Sequence, residues 1–175
     1  MTIVADKHNF PLVLIGILSD THGAGEAASA AVALLLKEGA AHLIHCGDVG
    51  SPSVLDALAN DVPAAFVWGN TDHDRTALRR YATALKIQCF DTFGELDLAG
   101  KGVAVTHGDD AQLVRGVLAE QQHDYLLVGH SHVREDRRVG RVRVINPGAL
   151  YHASEKTVAL LDAARDELRF LTVRW

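Results

Sequence analysis

Cysteine is scarce. With only Cys46 and Cys89 in 175 residues, the chain can build neither a disulfide framework nor a four-cysteine zinc site, and Cys46 falls inside an apolar run that reads as a core strand. A reducing, cytoplasmic setting is the expectation. A membrane-spanning run is missing too: Leu12 to Leu18 is far shorter than the about 20 apolar residues that cross a bilayer, and it ends in Ser19-Asp20-Thr21-His22 rather than a small-residue cleavage site. Positive charge is in deficit, with 17 Lys and Arg against 22 Asp and Glu and a net charge of -5. General affinity for nucleic acid or an anionic membrane is therefore not expected, and small or locally steered substrates fit better. No segment recurs with a period of about 20 to 50 residues, which excludes a repeat protein. No Gly-x-Ser-x-Gly elbow occurs, which argues against a serine hydrolase.

Apolar residues, by contrast, make up 48% of the chain. That suffices for one domain over 1–175 with a sizeable core, residues 1–10 reading as a flexible leader. Leu12 to Leu18 is continuously apolar and reads as a central strand covered on both faces. Ala27 to Leu36, closed by Lys37-Glu38-Gly39, reads as a helix with a glycine stop. Leu43 to Cys46 follows as a strand, completing a βαβ unit. Ser51 to Asn60 and Thr76 to Lys86 read as helices around an Ala64 to Trp68 strand. Ala99-Gly100-Lys101-Gly102 between Glu95 to Leu98 and Val103 to Val105 signals a hairpin. Ala111 to Gln121 is helical, and Tyr125 to Val128 is a strand. Val133 to Val139 and Arg141 to Ile145 make a second hairpin about Gly140, while Val158 to Leu161 and Leu168 to Val173 alternate as strands. The pattern implies α/β architecture: a four-layer α/β/β/α sandwich of two mixed sheets with flanking helices.

Polar groups collect at the strand exits. Asp48 follows the Leu43 strand between glycines, where open α/β sheets place their ligand sites. The simpler alternative is an aspartate capping the next helix, since Ser51-Pro52 has the form of an N-cap and a first-turn proline. Asp20 and His22, Asp48, Asn70, His107, His130 and His132 all sit just beyond a predicted strand with glycine nearby. Oxygen and imidazole donors without thiolate suit Mn, Zn, Fe or Ni. The set is too large for one tetrahedral ion and suits two divalent metal ions sharing a carboxylate.

The order Asp20-Thr21-His22, Gly47-Asp48, Gly69-Asn70-Thr71-Asp72, Thr106-His107-Gly108 and Gly129-His130-Ser131-His132 resembles the calcineurin-like metallophosphoesterase superfamily. The short chain and Asn146-Pro147-Gly148 are similar to its small bacterial and archaeal phosphodiesterase branch, which also holds the retromer scaffold subunit. The resemblance implies that Asp20, His22 and His132 hold one metal, that Asn70, His107 and His130 hold the other, and that Asp48 bridges them. It also implies hydrolysis of a small phosphoester, a diester by preference, through a hydroxide bridging two ions about 3.5 to 4 Å apart. Manganese is the first expectation for both, ahead of Zn, Fe or Ni. Asn70 has a second task available, because its amide can donate to phosphate while its carbonyl ligates.

Two positions depart from the superfamily: Thr71 replaces a histidine often found after the asparagine, and Ala149 replaces a serine often found after Asn-Pro-Gly. The general acid is thus unassigned. His73 is one candidate; Asp72 is a third carboxylate, an orienting partner or part of a helix cap. His45, inside its strand, reads as a satisfied buried or supporting histidine. Arg134, Arg137, Arg138, Arg141 and Arg143 read as a solvated strand face or an anion-steering rim. The rival class is a non-catalytic scaffold or protein-interaction module of the same fold, and the sequence leaves oligomerisation open.

Overall fold

The computed structural model describes residues 13–175; the expected leader, and Leu12 of the first strand, lie outside them. The chain runs β1 (Leu14–Leu18), α1 (Gly25–Lys37), β2 (His42–His45), α2 (Pro52–Leu58), β3 (Ala64–Phe66), α3 (Arg75–Ala84) and β4 (Gln88–Cys89). It continues with β5 (Phe93–Leu98), β6 (Lys101–Thr106), α4 (Ala111–Glu120), β7 (Tyr125–Leu127), β8 (Glu135–Val139), β9 (Val142–Asn146), β10 (Thr157–Asp162) and β11 (Glu167–Thr172). One sheet has the order β11-β10-β1-β2-β3-β4 and the other β5-β6-β7-β9-β8. Both are mixed: β1, β2, β3 and β4 run parallel while β10 pairs antiparallel with both β1 and β11, and β6, β7 and β9 run parallel while β5 pairs antiparallel with β6 and β8 with β9.

Strand alternation builds the layers. Ile15 and Ile17 of β1 face the second sheet, where they meet a cluster containing Val103, Val105, Leu127 and Ile145. Leu14 and Leu18 point the other way, into a cluster with Ala28, Val32 and Leu35 of α1, Leu55 of α2 and Leu78 of α3. The second sheet repeats the device: Ala104, Leu126 and Val144 pack outward against Val117 of α4. Each buried leucine or isoleucine contributes about 1.5 to 3 kcal/mol relative to exposure, so three clusters commit the chain to four layers.

In each sheet the parallel strands release their loops at a carboxyl edge. In the first, the register is level: Leu18 pairs with His45, and His45 with Phe66. The loops after β1, β2 and β3 therefore leave side by side, and those after β6, β7 and β9 do the same in the facing sheet. The two-residue strand β4 carries no periodic pattern; it forms because Phe90 N–H donates to the Phe66 carbonyl and β3 offers a free edge.

Candidate metal centre

Backbone hydrogen bonds zip these loops together. Asp20 N–H donates to the Gly47 carbonyl (3.0 Å), His22 N–H to the Asp48 carbonyl (2.9 Å) and Gly129 N–H to the His107 carbonyl (2.8 Å). Asp20, His22, Asp48, His130 and His132 all adopt left-handed backbone, with φ of 55°, 45°, 57°, 67° and 58°. Aspartate and histidine tolerate that region better than most residues, but it still costs of order 1 kcal/mol each. Strain of this kind persists where surrounding structure enforces it, and it gathers at functional sites.

All seven predicted residues come together. Asp20, His22 and His132 form one group and Asp20, Asp48 and His107 another. His132 Nε2 lies 3.1 Å from Asp20 Oδ1 and 3.4 Å from His22 Nε2. Asn70 Oδ1 lies 3.1 Å from both His107 Nε2 and His130 Nδ1. Asp48 Oδ2 stands between the groups, 3.5 Å from His22 Nε2 and 3.4 Å from His107 Nε2. Asp20 also reaches across, with Oδ1 4.0 Å from His107 Nε2.

The donor set fits divalent cations. Asp20 is wholly buried, and its Oδ1 has no hydrogen-bond partner, since His132 Nε2 is close but badly aligned. A buried carboxylate oxygen left bare is expensive unless a cation meets it. His107 Nδ1 lies 2.8 Å from the Cys46 carbonyl; it donates there, which turns the Nε2 lone pair toward Asp48 and Asn70. No thiolate competes, because burial pushes the Cys46 thiol well above its ordinary range.

Electrostatics keep the central carboxylate charged. Burial works to raise the Asp48 carboxyl, but the His107 contact and the Thr71 N–H, 2.9 Å from Oδ1, hold it well below the usual carboxylate range. For His107 burial works to lower the ring, and the carboxylates of Asp48 and Asp20 prevail to raise it. In the absence of metal, a proton on this ring supplies part of the positive charge that the two carboxylates demand.

The calcineurin-like phosphoesterase superfamily domain matches residues 13–166. The chain belongs to that superfamily. Membership places it in the metallophosphoesterase family and implies divalent metal ions, which the bare Asp20 oxygen and the converging nitrogens accommodate. Phosphodiesterase MJ0936 of Methanocaldococcus jannaschii is 28% identical to this phosphoesterase over 159 residues, 89% of this chain and 96% of that protein. A solved archaeal phosphodiesterase superposes with a TM-score of 0.85 at 27% identity, covering 92% of this chain and 100% of its own. Vps29 of Entamoeba histolytica shares the fold at a TM-score of 0.64 and 14% identity, over 93% of this chain and 100% of that one.

Several residues of this metallophosphoesterase have roles set by tertiary contacts. Asp72 does not cap α3; Asp74 does, accepting from Ala77 N–H. Asp72 instead accepts from the N–H groups of Gly69 (2.9 Å), Val49 (3.2 Å) and Gly50 (2.8 Å), clamping the loop that carries Asn70 to the loop that carries Asp48. Ser51 stands at the N-cap of α2, but its hydroxyl bonds the Gly23 carbonyl and Ser53 Oγ and caps no helix N–H. Asn146 is buried, donating to the Gly129 carbonyl (2.7 Å) and Ser131 Oγ (3.0 Å), and so holds the His130 and His132 loop. His45 is buried and satisfied: Gly47 N–H donates to Nδ1, so Nε2 carries the proton and donates to Thr21 Oγ1, 2.9 Å away.

Tyr151 also borders the centre, its ring 5.5 Å from that of His22 and its N–H donating to the Asp20 carbonyl; nothing in the sequence but its place after Asn146-Pro147-Gly148 signals it. The five hairpin arginines are ion-paired, Arg134 with Glu155, Arg137 with Glu135, Arg138 with Asp166, Arg141 with Asp124, and Arg143 with Asp136 and Asp166. They form a solvated strand face, not a rim of free cations.

Proposed function

We propose that this single domain is a binuclear metal-dependent phosphodiesterase. The observation that carries the reading is Asp48 Oδ2, one carboxylate oxygen within 3.5 Å of imidazole nitrogens from both donor groups. Asp20, His22 and His132 would hold one ion, and Asn70, His107 and His130 the other, with Asp48 between them. Once bound, two divalent ions supply Lewis acidity, lowering the pKa of a water and drawing charge from the phosphate oxygens.

The chain's own groups set the stage for that chemistry. The Thr71 N–H keeps Asp48 ionised and oriented, and the Cys46 carbonyl fixes the His107 tautomer. With Asn70 Oδ1 turned toward His107 and His130, its Nδ2 is left to donate to a phosphate oxygen. The Thr71 hydroxyl has too high a pKa to protonate a leaving group near neutrality, so the leaving oxygen departs as an anion, takes its proton from water, or takes it from His73, which lines the same groove as Thr71. Good leaving groups are favoured accordingly. Manganese is the first candidate for both positions, with Zn, Fe and Ni behind it, because all donors are oxygen or imidazole nitrogen.

A scaffold role is the second reading, favoured by the Vps29 likeness in fold. Assay of purified protein against phosphomonoesters, phosphodiesters and cyclic nucleotides, with chelator and then with each metal restored, separates the two. Chelation is expected to abolish diester hydrolysis and manganese to restore it. A metal-loaded protein inert toward every ester would leave the scaffold reading standing.

A further inference from the structure

We propose that the groove between α2 and α3 is the subsite for an apolar, aromatic arm of the phosphoester; this rests on the phosphoesterase reading above. The groove has a volume of about 590 Å³, and its lining includes Pro52, Ala77, Leu78 and Tyr81 together with Thr71 and His73. That size and apolar lining match small-molecule sites. Thr71 is the link to the metal centre: its N–H holds Asp48 Oδ1, its hydroxyl lies 3.4 Å from His22 Nδ1, and it also lines the groove. A substituent on a phosphate held at the centre therefore has this groove as its neighbour.

Chemistry narrows the occupant to an uncharged ring. Tyr81 is 37% exposed, and its hydroxyl donates to Asp56 Oδ1 of α2, which stands the ring as a fixed wall between the two helices. No lysine or arginine lines the groove. The nearby Arg75 is spent on the carbonyls of Asp72 and Gly69, and the Asp74 carboxylate on Ala77 N–H. A second phosphate would thus find no cation, whereas an aryl ring finds an apolar floor and an aromatic wall. The recess beside His130, about 160 Å³ and bordered by Glu135 and Arg137, is smaller and charged. The two flanks of the centre are therefore unequal.

Calorimetric titration of the manganese-loaded protein with inorganic phosphate and with methyl-, phenyl- and naphthylphosphonate, none of which can be hydrolysed, tests this. The dissociation constant is expected to tighten at least tenfold from methyl to naphthyl. Ala77→Trp, at an exposed helical position, is expected to erase that gain while leaving phosphate and methylphosphonate within twofold, and Tyr81→Ala to shrink it. An unchanged gain in Ala77→Trp, or no gain in the unmodified protein, overturns the assignment; the latter is also the outcome for a groove that docks a protein segment. If phosphate binds without regard to ring size, the groove alone is refuted. If neither phosphate nor any phosphonate binds and no ester is hydrolysed, the phosphoesterase reading falls with it.

Discussion

His45 and His107 are buried histidines near the same carboxylate, yet their surroundings drive them in opposite directions. His107 meets Asp48 and Asp20 and is raised, whereas His45 is enclosed, faces Thr21 and the His107 charge, and is pushed down to about 3, mainly by burial. The unfolded chain takes a proton on His45 below about pH 6.5, and the folded chain refuses it until about pH 3. The unfolded state thus binds more protons in that window, so this residue's contribution is fully present above pH 6.5 and is lost as pH falls. His45→Gln, which removes the titration, is expected to flatten the pH dependence of unfolding free energy by up to about 1.4 kcal/mol per pH unit between pH 6 and 4. Denaturant unfolding of both metal-free proteins measures it; identical slopes would show that His45 is not held neutral by the fold.

At the scale of elements, the centre depends on loops that touch almost without side chains between them. A Cβ placed on Gly69 falls 2.0 Å from Asp48 Oδ1 and 2.4 Å from Asp48 N. Gly69→Ala must therefore push the β3 exit loop off the β2 exit loop, displacing the carboxylate and the Thr71 N–H that holds it. Metal affinity is expected to fall about 10- to 100-fold, the usual penalty for disturbing the groups that orient ligands, with secondary structure retained. Metal titration followed by circular dichroism checks both halves, and unchanged affinity would contradict the contact. Which loops would matter was readable in advance, because continuous apolar runs such as Leu43 to Cys46 mark buried strands whose exits are ligand sites. The clamp was not: Asp72 looks like a helix cap in a linear reading, and its three N–H partners come from residues 49, 50 and 69, whose proximity follows from strand order. The same holds for β4, too short for any period, and for three of the hairpin arginines' partners, Asp124, Glu155 and Asp166, which lie on other segments.

For the whole molecule, two sheets packed face to face bring six strand exits to one rim, three from each sheet, and so assemble donors from loops more than a hundred residues apart, such as Asp20 and His132. Fold membership does not by itself decide between catalysis and scaffolding. The proposed catalytic reading rests on the donor set, and above all on Asp48 between its two halves. Elemental analysis of the purified protein after equilibration with manganese, set beside diester hydrolysis by the same sample, tests the proposed binuclear centre. Two ions per chain with hydrolysis present are expected, and Asp48→Asn is expected to bind fewer than two and to lose roughly a thousandfold or more in kcat/KM. Full hydrolysis by a protein carrying no metal, or two ions bound undiminished by Asp48→Asn, would contradict the binuclear centre.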